Sequence, residues 1–187
     1  MPSSGARRGY EASPNPFYCI GKRRVIMVKS CAVIGCILSA LFLSFAEASA
    51  DQAGFIKPLP KDKCPVCGMF VAKYPDFVAE IVFKDGSYSV FDGAKDMFKY
   101  YLDLHRNNPA KKPSDIRSIY VTDYYELQPA DAARAFYVIG GDVYGPMGRE
   151  LIPFVTEGDA MEFMKDHAGK QVLRFGDITA DVIKGLD

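Results

Sequence analysis

Eight consecutive residues, Lys63-Cys64-Pro65-Val66-Cys67-Gly68-Met69-Phe70, gather two thiols and a thioether on a turn that proline and glycine prepare. Cysteine and methionine sulfurs are soft ligands suited to copper(I), whereas carboxylates and carbonyls suit harder ions, so the residue types tilt a metal reading toward copper. A second sulfur stands out far along the chain. Met147 lies in Gly145-Pro146-Met147-Gly148, a glycine- and proline-rich loop with no helical stripe to bury it. Met97, Met161 and Met164, by contrast, fall on helical patterns, where methionine is a common core filler.

Three chemistries compete for Cys64 and Cys67. A thiol–disulfide oxidoreductase sets its Cys-x-x-Cys at the start of a helix inside a βαβ unit, where the dipole lowers the attacking thiol's pKa. Here no strand pattern precedes Cys64, and Gly68 and the Tyr74-Pro75-Asp76 turn leave little room for a long helix. Structural zinc wants four Cys or His ligands, commonly as two pairs. His105 and His167 lie near the ends of different helices, where histidine more often complements the dipole, and both stay outside the site. Copper(I) needs fewer ligands and accepts thioethers, which makes Met69 informative. A disulfide across two intervening residues would restrain little of the unfolded chain, so the pair is better explained by chemistry than by stapling.

The elements that must position this loop follow in order. Phe55-Ile56-Lys57-Pro58-Leu59-Pro60 reads as an extended lead-in. Phe77-Val78-Ala79-Glu80-Ile81-Val82-Phe83 and Ser87-Tyr88-Ser89-Val90-Phe91 flank Lys84-Asp85-Gly86 and predict a hairpin. Asp92 is expected to cap a helix with Ala94, Met97, Phe98, Tyr101 and Leu102 on one face, ending before Asn107-Asn108-Pro109. Ile116 to Val121 returns as a strand. Residues 126–133, with Pro129 and several alanines, offer the best internal boundary. Beyond it Phe136-Tyr137-Val138-Ile139, Val143-Tyr144 and Leu151-Ile152 predict strands, Thr156 with Asp159 opens a helix, and Gln171-Val172-Leu173-Arg174-Phe175 predicts the last strand, with a short helix in the tail. Ala94, Met97, Phe98 and Tyr101 match Ala160, Phe163, Met164 and His167 in spacing, so the chain reads as a degenerate repeat of two β-β-α-β units. Halves this small carry marginal cores alone and should pack together in an α+β fold.

The 187-residue chain has no net charge and is 49% hydrophobic, which describes a globular protein and gives no footprint for nucleic acid. Residues 1–50 read as an N-terminal extension and secretory signal: Lys22-Arg23-Arg24, an apolar run over 31–46, then Ala48 and Ala50 before a cleavage site. Translation from Met27 would give a more compact signal. Cleavage after Ala50 would remove Cys19, Cys31 and Cys36 and leave Cys64 and Cys67. Val33-Ile34-Gly35-Cys36 competes as a lipoprotein box, which would anchor the chain to a membrane through Cys36. Residues 51–126 and 127–187 then form the first and second β-β-α-β units.

Cys67-Gly68-Met69, Phe91-Asp92-Gly93, Tyr120-Val121-Thr122-Asp123-Tyr124, Ala135-Phe136-Tyr137-Val138, Gly145-Pro146-Met147-Gly148 and Ile152-Pro153-Phe154 together resemble the NosL family, accessory proteins of nitrous-oxide reductase. The resemblance covers nearly all the chain after the signal. It implies a non-enzymatic periplasmic copper(I) chaperone that supplies the reductase apoprotein or its ABC-transporter-linked maturation complex. It also implies two related β-β-α-β units in a fold similar to a domain of organomercurial lyase. It carries copper ligation to Cys67 and Met69, with Cys64 and Met147 as participants. The alternatives are a periplasmic thiol–disulfide oxidoreductase and a module stabilised by zinc or a disulfide.

Overall fold

The computed structural model describes residues 54–187, which lie in one compact unit; the signal sequence, the Cys36 lipoprotein box and the Ala50 cleavage site fall outside them. The lead-in crosses the first sheet, where the Ile56 N–H meets the Glu80 carboxylate, and then enters the cysteine loop.

The first unit begins with β1 (Ala79–Phe83) and β2 (Tyr88–Phe91), an antiparallel pair. The Phe83 N–H donates to the Ser87 carbonyl across a three-residue loop, and Gly86 takes φ +84°. That left-handed position is why Asp-Gly marks the turn. The strand expected from Phe77 starts at Ala79, because Pro75–Phe77 forms a 3-10 turn whose first φ the proline ring fixes. Helix α1 (Ala94–Leu102) follows, and the Asn107 amide donates to the carbonyls of Lys99, Tyr100 and Asp103 at its end. Helix α2 (Leu104–Asn107) stops at the Asn-Asn-Pro breaker, and β3 (Ile116–Thr122) returns beside β1.

Strand β4 (Pro129–Asp131), in the segment that reads as a boundary, extends the first sheet to the order β2-β1-β3-β4. Proline is tolerated there because β4 is an edge strand with no outer partner for its missing N–H. The second unit has β5 (Phe136–Ile139), β6 (Tyr144–Gly145), β7 (Gly148–Arg149), β8 (Ile152–Phe154), helix α3 (Glu157–Asp166) and β9 (Gln171–Arg174), before helix α4 (Ala180–Lys184). Its sheet order is β8-β5-β9, so each unit has its first strand central, its second on one side and its post-helical strand on the other. The repeat read from helix spacing thus extends to topology. The copies also differ: the β6–β7 hairpin interrupts the second, α2 and β4 belong to the first alone, and α3 starts one turn earlier relative to the matched apolar residues.

The larger core joins both units. Val71, Ile81, Phe91, Met97 and Phe98 pack in one cluster with Tyr137, Leu151, Leu173 and Ile183. The Phe98 ring meets Tyr137 edge-on at 5.3 Å and Phe175 at 4.9 Å. A smaller cluster, Val138, Ile152, Phe154, Ala160 and Phe163, fills the space under α3. Thr156 caps that helix as expected, accepting from the Asp159 N–H at 3.1 Å. Helix α1 does not follow its forecast: its N-cap is Gly93, no side-chain cap bond forms there, and Asp92 is used elsewhere.

Glu80 is fully buried on β1, and burial pushes its pKa up to about 7 against the lowering effects of the Ile56 N–H and Arg117. A carboxyl raised above its unfolded value stabilises the fold at low pH and loses that contribution as pH rises through the folded pKa. The unfolding free energy should therefore fall between about pH 5 and about pH 8, by up to about 3 kcal/mol from this group. Urea midpoints at the two pH values check this, and the fall should shrink in Glu80→Gln.

Candidate metal centre

Two backbone hydrogen bonds tie the cysteine loop closed. The Cys64 N–H donates to the Met69 carbonyl and the Gly68 N–H to the Cys64 carbonyl, both at 2.9 Å, while Lys63 and Phe70 form an antiparallel bridge below. Gly68 sits at φ +79°, a conformation that favours glycine, which explains its place after the second cysteine. The backbone N–H groups of Cys67 and Val66 act on the Cys64 thiol, and that of Met69 on the Cys67 thiol, each favouring the thiolate against the effect of burial. No long helix follows, only the 3-10 turn Val71–Lys73.

Both cysteines are free; Cys64 is buried and Cys67 half-buried. Their neighbours are two aspartates that sequence reasoning did not assign to the site. The Cys67 thiol donates to Asp92 Oδ1 at 3.1 Å and the Cys64 thiol to Asp96 Oδ2 at 3.3 Å. One ligand atom from each of Cys64, Cys67, Asp92 and Asp96 lies within 4.8 Å of all the others. Burial raises the Cys64 pKa far above the ordinary thiol range and that of Cys67 to about 11, with the carboxylates adding to the rise. These are not the lowered pKa values of a disulfide-exchange nucleophile.

Asp92 can face a thiol because another group takes its expected capping role. Glu150, fully buried and contributed by the second unit, accepts from the Lys95 N–H at 2.5 Å and from the Leu151 N–H at 2.9 Å. It thereby satisfies one of the unpaired donors at the start of α1. Burial pushes the Glu150 pKa up to about 7, opposed by those two N–H groups and by the Lys95 charge. Gly93 leaves the room for this contact, since a Cβ there would meet the Glu150 carboxylate.

The thioethers are placed differently from the thiols. Met69 is half-buried, and its sulfur accepts a contact from the Tyr74 hydroxyl at 3.8 Å. Met147 is exposed at the tip of the β6–β7 hairpin. The buried Lys95 ammonium donates to the Met147 carbonyl at 2.9 Å, which ties this tip to the helix that carries Asp96. His167 pairs with Asp142 at 2.9 Å and stacks on Phe163, outside the thiol cluster. One signal for the missed aspartates was available: Asp92 and Asp96 are four residues apart at the start of a helix. Acidic residues there are also what the helix dipole favours, so the spacing alone did not point to a site.

Gly93→Ala should force the Glu150 carboxylate off the helix end and cost about 1–3 kcal/mol, as overpacked core substitutions do. Urea denaturation of the metal-free chain measures this, and an unchanged midpoint would contradict the role given to Glu150.

Comparison with known proteins gives one consistent answer. The family described as NosL matches residues 56–183. The copper-binding lipoprotein NosL of Stutzerimonas stutzeri is 32% identical over 125 residues, covering 63% of this chain and 62% of that relative's length. The crystal structure of the copper chaperone NosL from Shewanella denitrificans superposes with a TM-score of 0.58 at 24% identity, covering 68% of this chain and 96% of that one. The fold is therefore the mixed helix and sheet fold of that structure. The solution structure of apo-NosL from Achromobacter cycloclastes is 31% identical and covers 56% of this chain and 87% of its own, with a TM-score of 0.38. With its motifs, fold and family match in agreement, this chain belongs to the NosL family.

Proposed function

We propose that the protein is an extracytoplasmic copper(I) chaperone that holds its cargo on sulfur and delivers it for maturation of nitrous-oxide reductase. The observation that carries this reading is the closed loop with two free thiols, Cys64 buried and Cys67 half-buried, in reach of solvent through Cys67. Copper(I) accepts low coordination numbers and soft donors, and thiolates favoured by backbone N–H groups supply both. Met69 and Met147 are more accessible than Cys64 and would add thioether donors on the solvent side.

Transfer by ligand exchange needs such an arrangement. An incoming sulfur from a partner can replace an exposed thioether, then Cys67, and only last Cys64, so the metal never becomes free. The names of the relatives in Stutzerimonas and Shewanella support copper as the cargo. The reductase apoprotein and its transporter-linked maturation complex are the partners we assign. Residence in the periplasm follows from the proposed signal, with membrane attachment if Cys36 is lipidated and a soluble protein if cleavage follows Ala50. Disulfide exchange is disfavoured by raised thiol pKa values and by a loop in place of a helix N-terminus after Cys67.

Chelator competition for copper(I) tests the site. Cys67→Ala should lower affinity by about 100-fold or more, and Met69→Ala and Met147→Ala by roughly 10-fold each, in keeping with loss of one soft ligand. Parental affinity in both Cys67→Ala and Met69→Ala would sink the proposal.

A further inference from the structure

The segment around the cysteine loop carries a charge that the whole chain does not. Residues 57–73 hold Lys57, Lys61, Lys63 and Lys73 against a single acid, Asp62, in a chain with no net charge. All four lysines are exposed, and among the described residues none of them forms an ion pair. Asp62 is engaged elsewhere: its carboxylate accepts from the Leu59 N–H at 2.9 Å and from the Tyr88 hydroxyl at 3.2 Å. Phe70, 39% exposed, sits among these cations. The antiparallel bridge between Lys63 and Phe70 sets the two side chains side by side, with the Lys63 ammonium 4.8 Å from the ring centroid and the Lys73 ammonium 5.6 Å from it. The next rung is the bond from the Cys64 N–H to the Met69 carbonyl, so this basic, aromatic surface begins one residue from Cys64 and from Met69.

Any surface that covers the Phe70 ring must also meet the ammonium groups beside it, since burying a cation without an anionic partner is costly. We propose that Lys61, Lys63, Phe70 and Lys73 form a docking surface for an acidic protein, the metal acceptor, whose carboxylates surround its own metal-binding sulfur. The acceptor role rests on the chaperone reading; the charge and the exposed ring do not. An anionic membrane also attracts lysines. It has no ligand to take the metal, however, and lying against it would cover the loop through which Cys67 reaches solvent. Charge complementarity acts first on encounter: it raises association rates by about 10–1000-fold and is screened beyond about 10 Å at 0.1 M salt. Phe70 then serves as the aromatic anchor that holds the loop against the acceptor.

Two synthetic acceptor peptides test this; they share one Cys-x-x-Cys core, flanked by glutamates in one and by glutamines in the other. Copper(I) transfer from the loaded full chain, followed by stopped flow without oxygen, should be about 10-fold faster to the glutamate peptide at low salt, and the advantage should fall below about 2-fold at about 0.5 M salt. Lys63→Gln combined with Lys73→Gln should lose most of the advantage, while Lys165→Gln combined with Lys170→Gln, on the second unit, should keep it. Chelator competition should give both double variants the parental copper(I) affinity. Docking itself is read with the metal-free chain, from the fluorescence anisotropy of a labelled glutamate peptide whose cysteines are replaced by serine. Phe70→Ala should weaken that binding by about 5-fold and the Lys63 and Lys73 pair by about 10-fold. Equal transfer rates to the two peptides, an advantage that survives high salt, or one that survives loss of Lys63 and Lys73 would overturn the proposal. So would lysine-dependent binding to anionic phospholipid vesicles by a chain that does not bind the peptide. A chain that binds the peptide but takes up no copper(I) would instead sink the chaperone reading and leave the acidic docking surface standing.

Discussion

The buried Glu150 carboxylate at the start of α1 is the contact on which the site depends. It comes from the second unit, accepts from the Lys95 N–H of the first, and occupies the space that Gly93 leaves. Remove it and three things lose their reference at once: the start of the helix, the direction of Asp92, and the join between the halves. A charge-capable group in so dry a place is stable only while its oxygens are hydrogen-bonded, and the Lys95 and Leu151 N–H groups meet that need. Lys95 carries the same link further, through its ammonium, to the hairpin that bears Met147.

Local signals were legible in the sequence wherever the partners were close along the chain. The cysteine loop closes through residues within six positions of one another, the Asp85-Gly86 turn needs only its own glycine, and Thr156 caps through a residue three positions on. The apolar spacing that linked α1 and α3 marked buried faces in both, because helical period and burial are the same information. Asp92 is where that logic failed. As a good capping residue before an apolar stripe it obeys the local rule, yet its partner is a thiol 25 residues away and the cap comes from a residue 55 positions from Lys95. Asp96 and Glu150 were hidden for the same reason: no spacing rule records contacts made only by the tertiary fold.

Burial gives the centre its chemical character. The core that surrounds Cys64 raises the thiol pKa values, so the metal-free chain keeps its sulfurs protonated and donating to carboxylates. Any ion that enters must displace protons, and the backbone N–H groups of the loop then stabilise the thiolates that remain. The same side chains form a hydrogen-bonded cluster whose donor atoms lie close enough together to be offered to an ion. A loop shaped in advance loses little conformational freedom on binding, which lowers the entropic cost of holding an ion.

The two units trace one path twice, but only the second keeps the extra first turn on its helix and only the second grew a hairpin between its strands. Here the departures are reciprocal: the helix lacking its own first turn borrows an end from its sibling, and the hairpin inserted in the sibling leans back on that helix. Neither copy could be cut out and keep the centre, so two units of matching topology have the indivisibility of a single machine part.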